Sequence, residues 1–327
     1  SWRSASTSWT GVAGAEVAVE NLRATVTLLN DVFGFDPPIS LNHLEWYYQA
    51  NPEGEAAVGR VDADDRQEGN YALIPIRLLA ADGRTLRLGL GVDLCVHPDA
   101  RGTGTYRRTV EASYRAGTAA GLDGILGVAN TESAPRMVKT MGWQELAQLP
   151  ARLLLPRPGS QRFTHLGVDD DLLSSGRLEE LLPAPTGSPS TGHATVWNAE
   201  LLRWRLARPG AEYVLHVGRD VILVSTIARV GPVRVAVLLK VLLCRSAMGP
   251  LPSGPLAAAL AAHHRTPFVL HWGANPGVHF TGPRIPRRLQ PSPLELVLHR
   301  FTEDRDSSIS DAGILLTSFE FLDFDAY

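Results

Sequence analysis

Apolar residues recur at helical spacing over 17–33 and again over 41–50, with the Pro37-Pro38 break between them. The pattern then changes to short runs with period two or continuous apolarity. It predicts strands over 55–61, 71–79 and 85–96, separated by an acidic turn at Asp62-Asp64-Asp65 and by Asp82-Gly83. A glycine-bearing turn opens a predicted helix over 105–120, followed by a strand over 123–128, a helix over 133–140 and a weak strand over 152–155. The order is α-α-β-β-β-α-β-α-β.

Periodicity disappears in Leu182-Pro183-Ala184-Pro185-Thr186-Gly187-Ser188-Pro189-Ser190-Thr191-Gly192, whose prolines, glycines and hydroxyl residues favour open backbone. This segment reads as a linker, dividing the chain into 1–181, 182–192 and 193–327. Beyond it the pattern repeats: a helix over 199–207, strands over 212–217, 221–228 and 233–243, a helix over 256–264 and a strand over 267–272. Leu44-Glu45-Trp46 with Pro52, Glu55 and Arg60 finds a weak echo in Leu202-Arg203-Trp204 with Pro209, Glu212 and Arg219. The expected fold class is α/β with a mixed sheet flanked by helices in each half, two copies of one order of elements.

Composition supports a folded chain: 327 residues, 44% hydrophobic and 20% charged, exclude disorder and collagen-like repeats. No run is long and apolar enough to suggest a membrane span. The net charge of -3 argues against a general polyanion binder, so nucleic acid is not an expected partner. The 31 basic residues include only two lysines, Lys139 and Lys240. Most of that arginine excess reads as compositional bias, although local arginine clusters retain the capacity to bind phosphate bidentately. Two distant cysteines, Cys95 and Cys244, make neither a disulfide framework nor a zinc site. Ser1 to Gly14 has no apolar signal-peptide core, and the expected location is cytoplasmic.

Chemistry concentrates where the apolar strand runs through Val92-Asp93-Leu94-Cys95-Val96-His97-Pro98 into Arg101-Gly102-Thr103-Gly104-Thr105-Tyr106-Arg107-Arg108. A strand feeding a glycine loop that opens a helix gathers unpaired backbone N–H groups at a positive helix end, suited to phosphate. Gly102 and Gly104 supply unusual backbone angles and close approach. Taken with Gly127-Val128-Ala129-Asn130 and Met141-Gly142-Trp143, this stretch resembles the GNAT N-acyltransferase superfamily over about 17–157, with Arg101-x-x-Gly104 at the family's donor loop. Trp46 with Asn51-Pro52-x-Gly54 resembles a subgroup from antibiotic and surface-polysaccharide pathways. Tyr106 stands where the family's loop usually has a small residue.

The resemblance implies direct attack of an acceptor amine on a phosphopantetheine thioester, without metal. The strand over 90–96 would splay from that over 123–128 to admit the pantetheine arm, and a backbone N–H of Leu94, Cys95 or Val96 would hold the oxyanion. Asn130 matches the family's pantetheine-contacting asparagine, with helix capping as the alternative. Alternation places Asp93, Cys95 and His97 on one face. Asp93 is therefore the first candidate for base or acceptor anchor, with an ion pair as the alternative, and Glu45 and His43 are the second choices. The family's tyrosine acid is replaced by Met137 or Val138, leaving Tyr106, water or an unassisted thiolate. Cys95 lacks the partners of a nucleophile.

In the second half, Cys244-Arg245-Ser246-Ala247-Met248-Gly249-Pro250-Leu251-Pro252-Ser253-Gly254-Pro255 lacks donor-loop spacing, so this half is expected to close the acceptor pocket. The terminal 319–325, alternating aromatic and acidic residues, reads as a solvated edge strand. Arg101, Arg107, Arg108 and Arg115 would meet either coenzyme A phosphates or an acidic acyl carrier protein, and Tyr106 favours the carrier. Arg284, Arg287 and Arg288 form a second basic group. Alternatives are an acetyl-CoA-dependent enzyme acting on an antibiotic or amino sugar, an aminoacyl-tRNA-dependent transferase, and a non-catalytic binding protein. The expected acceptor is a small-molecule amine, in natural-product biosynthesis.

Overall fold

The computed structural model describes residues 10–63, 66–130, 133–185, 189–244, 249–290, 294–301 and 314–324. Asp64 and Asp65 of the acidic turn, Thr186 to Ser188 of the linker, 245–248 of the second-half loop and Asp325 lie outside the described residues. In the first half, α1 (Thr10–Phe33) and α2 (Leu41–Leu44) precede strands β1 (Ala57–Ala63), β2 (Arg66–Ala80) and β3 (Thr85–Val96). Then come α3 (Thr105–Ala119), β4 (Gly124–Ala129), α4 (Ser133–Met141), β5 (Gln144–Glu145) and β6 (Ala151–Leu154). The strands β1, β2 and β3 form an antiparallel meander, and β4 returns parallel to β3 across α3.

The segment predicted as one helix over 41–50 has a finer structure. Ser40 caps α2 by accepting from His43 N–H, and the helix then widens into a π turn over Glu45–Gln49. Widening brings the consecutive aromatics Trp46, Tyr47 and Tyr48 all inward, which the ordinary helical period does not do for three neighbours.

After β7 (Thr164–Gly167), α5 (Asp170–Ser174), α6 (Arg177–Leu181) and β8 (His193–Thr195), the second half repeats the first. Helix α7 (Ala199–Leu206) leads to β9 (Val214–Val217), β10 (Val221–Val230) and β11 (Val233–Leu243), again an antiparallel meander. After β12 (Leu251–Pro252), α8 (Ser253–His264) crosses to β13 (Val269–Ala274), which lies parallel to β11. The chain finishes with β14 (Val278–His279), β15 (Glu295–Arg300) and β16 (Leu316–Glu320).

Fourteen strands join in one sheet, ordered β5-β15-β4-β3-β2-β8-β16-β13-β11-β10-β9-β7, with β1 on β2 and β6 on β13. The halves trade strands. From the first half β6 pairs antiparallel with β13, while from the second β15 pairs antiparallel with β4. A second exchange lies between the short helices: Trp46 Nε1 donates to Trp204 O at 2.5 Å and Trp204 Nε1 donates to Trp46 O at 2.8 Å, with the rings stacked 5.4 Å apart. The sequence echo at these tryptophans thus marks a near-symmetric contact. One buried cluster runs through both halves, from Leu29, Ile74 and Leu88 to Leu202, Leu215 and Phe319. No helix among the described residues is long and apolar enough to cross a membrane.

Two sequence expectations are corrected. The C-terminal segment is interior: β16 lies between β8 and β13, and Glu320 and Asp323 are buried with Lys240. The shared face of Asp93, Cys95 and His97 is also lost, because a bulge at Asp93 interrupts the alternation of β3 and leaves both Cys95 and Val96 buried.

Candidate functional site

The ladder between β3 and β4 runs from Leu88–Gly124 to Gly91–Gly127. Past that pair, β3 turns toward β2, where register skips from Ala72–Val92 to Asn70–Cys95, so that Tyr71 faces both Asp93 and Leu94. Asp93 takes φ 56°, a left-handed conformation that aspartate tolerates better than branched residues. The bulge draws β3 away from β4, and the two strands enclose a cavity of about 710 Å³. Its walls include Tyr71, residues 90–94, Tyr106, residues 127–130, and Ser133, Arg136 and Met137 of α4. Gly91 is required for packing: a Cβ there would sit 2.3 Å from Tyr71 Oη.

A buried polar chain supports the bulge. Thr25 donates to Gln67, Gln67 Nε2 to Asn70 Oδ1, and Asn70 Nδ2 to both Tyr48 Oη and the Asp93 carbonyl. Tyr48 Oη in turn donates to Asp93 Oδ2 at 2.8 Å. Burial, and then the Asp93 charge, push the Tyr48 phenol well above its ordinary range, so it stays a donor to the carboxylate.

Asp93 and Tyr47 also line a second cavity of about 560 Å³, whose other walls are Phe35, residues 37–40, His43 and residues 208–211. Tyr47 stacks on Trp46 at 5.1 Å, and the Arg205 guanidinium lies 4.4 Å from the Trp204 ring and 5.8 Å from that of Tyr47. One wall therefore comes from each half, with Asp93 at the junction of the two cavities.

Solved structures share this architecture. The chain matches a conserved protein of unknown function from Enterococcus faecalis V583, described as a probable N-acyltransferase, at TM-score 0.59 and 10% identity over 86% of this chain and 70% of that one. It matches a GCN5-related N-acetyltransferase from Anabaena variabilis ATCC 29413 at TM-score 0.57 and 10% identity, over 86% and 71%. A third match is a GCN5-related N-acetyltransferase from Kribbella flavida, at TM-score 0.53 and 12% identity, over 86% and 69%. This chain has the GCN5-related N-acetyltransferase fold. No family model matches it, and no curated protein matches it in sequence.

Within this N-acetyltransferase fold, the sequence-predicted residues fall in three places. Asp93, Leu94, Tyr106 and Asn130 line the splay cavity, and His43 joins Asp93 in the second. Glu45 begins the π turn and lines neither cavity, and Cys95 and Val96 pair with β2. Burial, then Asp93, push the Cys95 thiol up to about 12, which disables it as a nucleophile. The loop residues Arg101, Gly102, Thr103 and Gly104 are exposed beyond the cavity wall.

Gly104, at φ 84°, caps α3, and the first helical acceptor bond is Arg108 N–H to Gly104 O at 3.1 Å. The amides of Thr105, Tyr106 and Arg107 are therefore the orphan donors of the helix end. A Cβ on Gly102 or Gly104 would meet nothing within 4 Å, so the loop's surface is sterically open. Of the neighbouring cations, Arg107 pairs with Glu111, Arg108 donates to Thr105 Oγ1, and Arg101 and Arg115 are exposed. In the other basic group, Arg287 pairs with Glu295.

Asn130 Oδ1 accepts from Ser133 N–H at 2.8 Å, so it caps α4 as well as lining the cavity. Met137 takes the wall position considered for the missing tyrosine, and the Tyr106 hydroxyl points at Met141 Sδ, 3.6 Å away. Arg136 lies over the Tyr106 ring at 4.5 Å. Tyr71 was not anticipated. Its only sequence signal is an aromatic among the apolar residues of β2, and its role against Gly91 depends on the bulge. Among the described residues no cluster of three or more metal-ligating side chains could hold an ion.

Proposed function

We propose that this chain is an N-acyltransferase that moves an acyl group from a phosphopantetheine thioester to the amine of a small molecule. The observation that carries the reading is the meeting of two cavities at Asp93, one between splayed strands beside an open helix N-terminus, the other walled by both halves. The thioester enters as substrate through the first, with its phosphate end at the Gly104 loop, and the amine approaches through the second. The amine nitrogen forms a bond to the thioester carbon, the carbon–sulfur bond breaks, and the thiolate departs. Asp93, held by Tyr48, accepts the amine proton directly or through water. Of the three backbone N–H groups considered for the oxyanion, that of Leu94 belongs to a residue lining the cavity, and it takes the role. Met137 supplies no proton, so the thiolate takes one from water or a nearby phenol. In this reading the second half is a copy that has lost donor binding and walls the acceptor site.

Exposed Arg101, Arg107, Arg108 and Arg115 support docking of an acidic acyl carrier protein, and the half-buried Tyr106 beside the loop supports the same donor over coenzyme A. Cys95 and Cys244 are present as thiols, which suits a reducing, cytoplasmic setting. The test is acyl transfer to a panel of amines, followed by mass spectrometry with acyl-CoA and acyl-carrier donors. The expected result is an amide product that disappears in Gly104→Val, since a branched residue at φ 84° distorts the loop. Retention of full turnover in that variant, or no product from either donor, counts against the reading. Sensitivity to ribonuclease would move the donor to aminoacyl-tRNA.

A further inference from the structure

Tyr71 is 1% exposed, and among the described residues its Oη makes no hydrogen bond. A buried hydroxyl left unpaired costs stability unless a ligand or water completes it. Tyr71 lines the cavity between β3 and β4, and its oxygen is 2.3 Å from where a Cβ on Gly91 would stand. Gly91–Gly127 is the last rung of that ladder, so the missing side chain lets the phenol reach the point where the strands part. The neighbouring phenols are engaged: Tyr106 Oη donates to Met141 Sδ at 3.6 Å, and Tyr114 Oη accepts from Trp143 Nε1 at 2.7 Å. Burial, and then the Tyr114 and Tyr106 phenols, push Tyr71 well above its ordinary range, so it is a donor that keeps its proton.

Alternation along β2 sets the face this phenol serves. Ala72 and Ile74 pack in the cluster that holds Tyr48, the partner of Asp93, whereas Tyr71 and Leu73 pack with Ala134 and Met137 of α4. The phenol and the Asp93 carboxylate therefore serve opposite faces of the splay. We propose that Tyr71 is a further catalytic residue, donating a hydrogen bond to the thioester sulfur as it leaves. This rests on the acyl-transfer reading. The amine reaches the carbonyl carbon from the Asp93 side, and the sulfur continues into the arm on the α4 side, where Met137 has no proton to donate. As the carbon–sulfur bond breaks, its electron pair goes to sulfur, and Tyr71 Oη meets the charge. The phenol retains its proton. The thiolate takes one from water, and Asp93 returns to solvent the one it took from the amine, leaving amide and thiol.

The test compares the full chain with its Tyr71→Phe variant. Phosphopantetheine, the portion common to both donors, is added to each, and its thiol is titrated by the ultraviolet absorbance of the thiolate, as a difference from the chain alone. Bound to the parent, the thiol should ionise at a pH about one unit or more below that in Tyr71→Phe, because only the parent donates to the anion. Transfer from acetyl-CoA or an acetyl-loaded carrier protein should slow about 10–100-fold in kcat with little change in donor KM. Transfer from the matching selenoester, whose selenolate is the weaker base, should slow less. Urea unfolding should show the variant as stable as the parent or more so, since an unpaired buried hydroxyl is gone. Equal thiol titration in the two chains, equal slowing of both esters, or unimpaired transfer overturns the proposal. A shifted thiol without acyl transfer to any amine upholds Tyr71 as the donor to sulfur and overturns the acyl-transfer reading instead.

Discussion

The two halves contain the same splay and treat it differently. In the first, β3 and β4 part after Gly91 and Gly127, and the gap is a cavity. In the second, β11 and β13 pair only from Ala236–Val269 to Leu238–His271, and the chain's own C-terminal segment enters beyond them. Strand β16 pairs with β13 at Gly273–Glu320, and the Glu320 carboxylate accepts from Val241 N–H at 3.4 Å and from Asn275 Nδ2 at 3.0 Å. Lys240 Nζ then lies 3.2 Å from Glu320 and 2.7 Å from Asp323. Asn275 follows β13 as Asn130 follows β4, so one splay is closed by protein groups where the other is left as a cavity. A strand splay of this kind needs a polar occupant, and what differs is whether the chain supplies it.

That contrast can be broken at its charges first. Lys240→Met leaves Glu320 and Asp323 buried without their cation and is expected to cost about 3–5 kcal/mol in urea unfolding. Asp93→Asn at the first splay is expected to cost under about 1 kcal/mol of stability while lowering acyl transfer by about 10²–10⁴. A Lys240 variant as stable as the parent would show that the second splay does not depend on its occupant.

Gly91→Ala places a methyl against Tyr71 Oη and is expected to cost about 1–3 kcal/mol. Adding Tyr71→Phe, which removes the nearest atom, should return part of that loss, and calorimetric melting of the single and double variants measures it. Additive losses would contradict the packing described.

Asn275→Ala is expected to cost about 1–3 kcal/mol, since it leaves a buried carbonyl and part of a carboxylate unsatisfied. Asn130→Ala should cost about 1 kcal/mol, the usual value of a lost helix cap, and also weaken donor binding. Equal stability losses without an effect on the donor would remove the parallel between them.

The smallest effect at neutral pH concerns histidine. Burial, reinforced by neighbouring histidines, holds His216 down at about 3 and His264 at about 4, both bonded to Ser225 at 2.6 and 2.8 Å. In the first half's sheet, burial alone lowers His299 to about 4. A depressed folded value means that the unfolded chain binds protons first. The stabilisation is complete above the ordinary value of 6.5 and is lost as pH falls from there toward the folded values. Urea midpoints should drop between pH 7 and 4, and His216→Gln should flatten the curve more than His299→Gln does.

Much of the architecture was legible because it is local. The bounds of β3 and β11 follow directly from apolar runs ended by turn residues, and the start of α3 follows from Gly104. The paired tryptophans also showed in the sequence, since a repeated contact leaves repeated residues. The interior position of β16 did not show: Glu320 and Asp323 look solvated until Lys240, far away in sequence, is placed beside them. The traded strands β6 and β15 are equally nonlocal. At the site, Asp93 stood out as a charge in an apolar strand, whereas the bulge that aims it, the Tyr48 bond and the wall over 208–211 arise only from tertiary packing.

Hydrogen–deuterium exchange in the presence of acetyl-CoA, and separately of an acyl-loaded carrier protein, compares the two splays in one measurement. At least one donor should protect amides over 90–94 and 127–130 while leaving those over 239–243 and 272–275 unchanged. Protection at the second splay, or acyl transfer without protection at the first, would contradict the account.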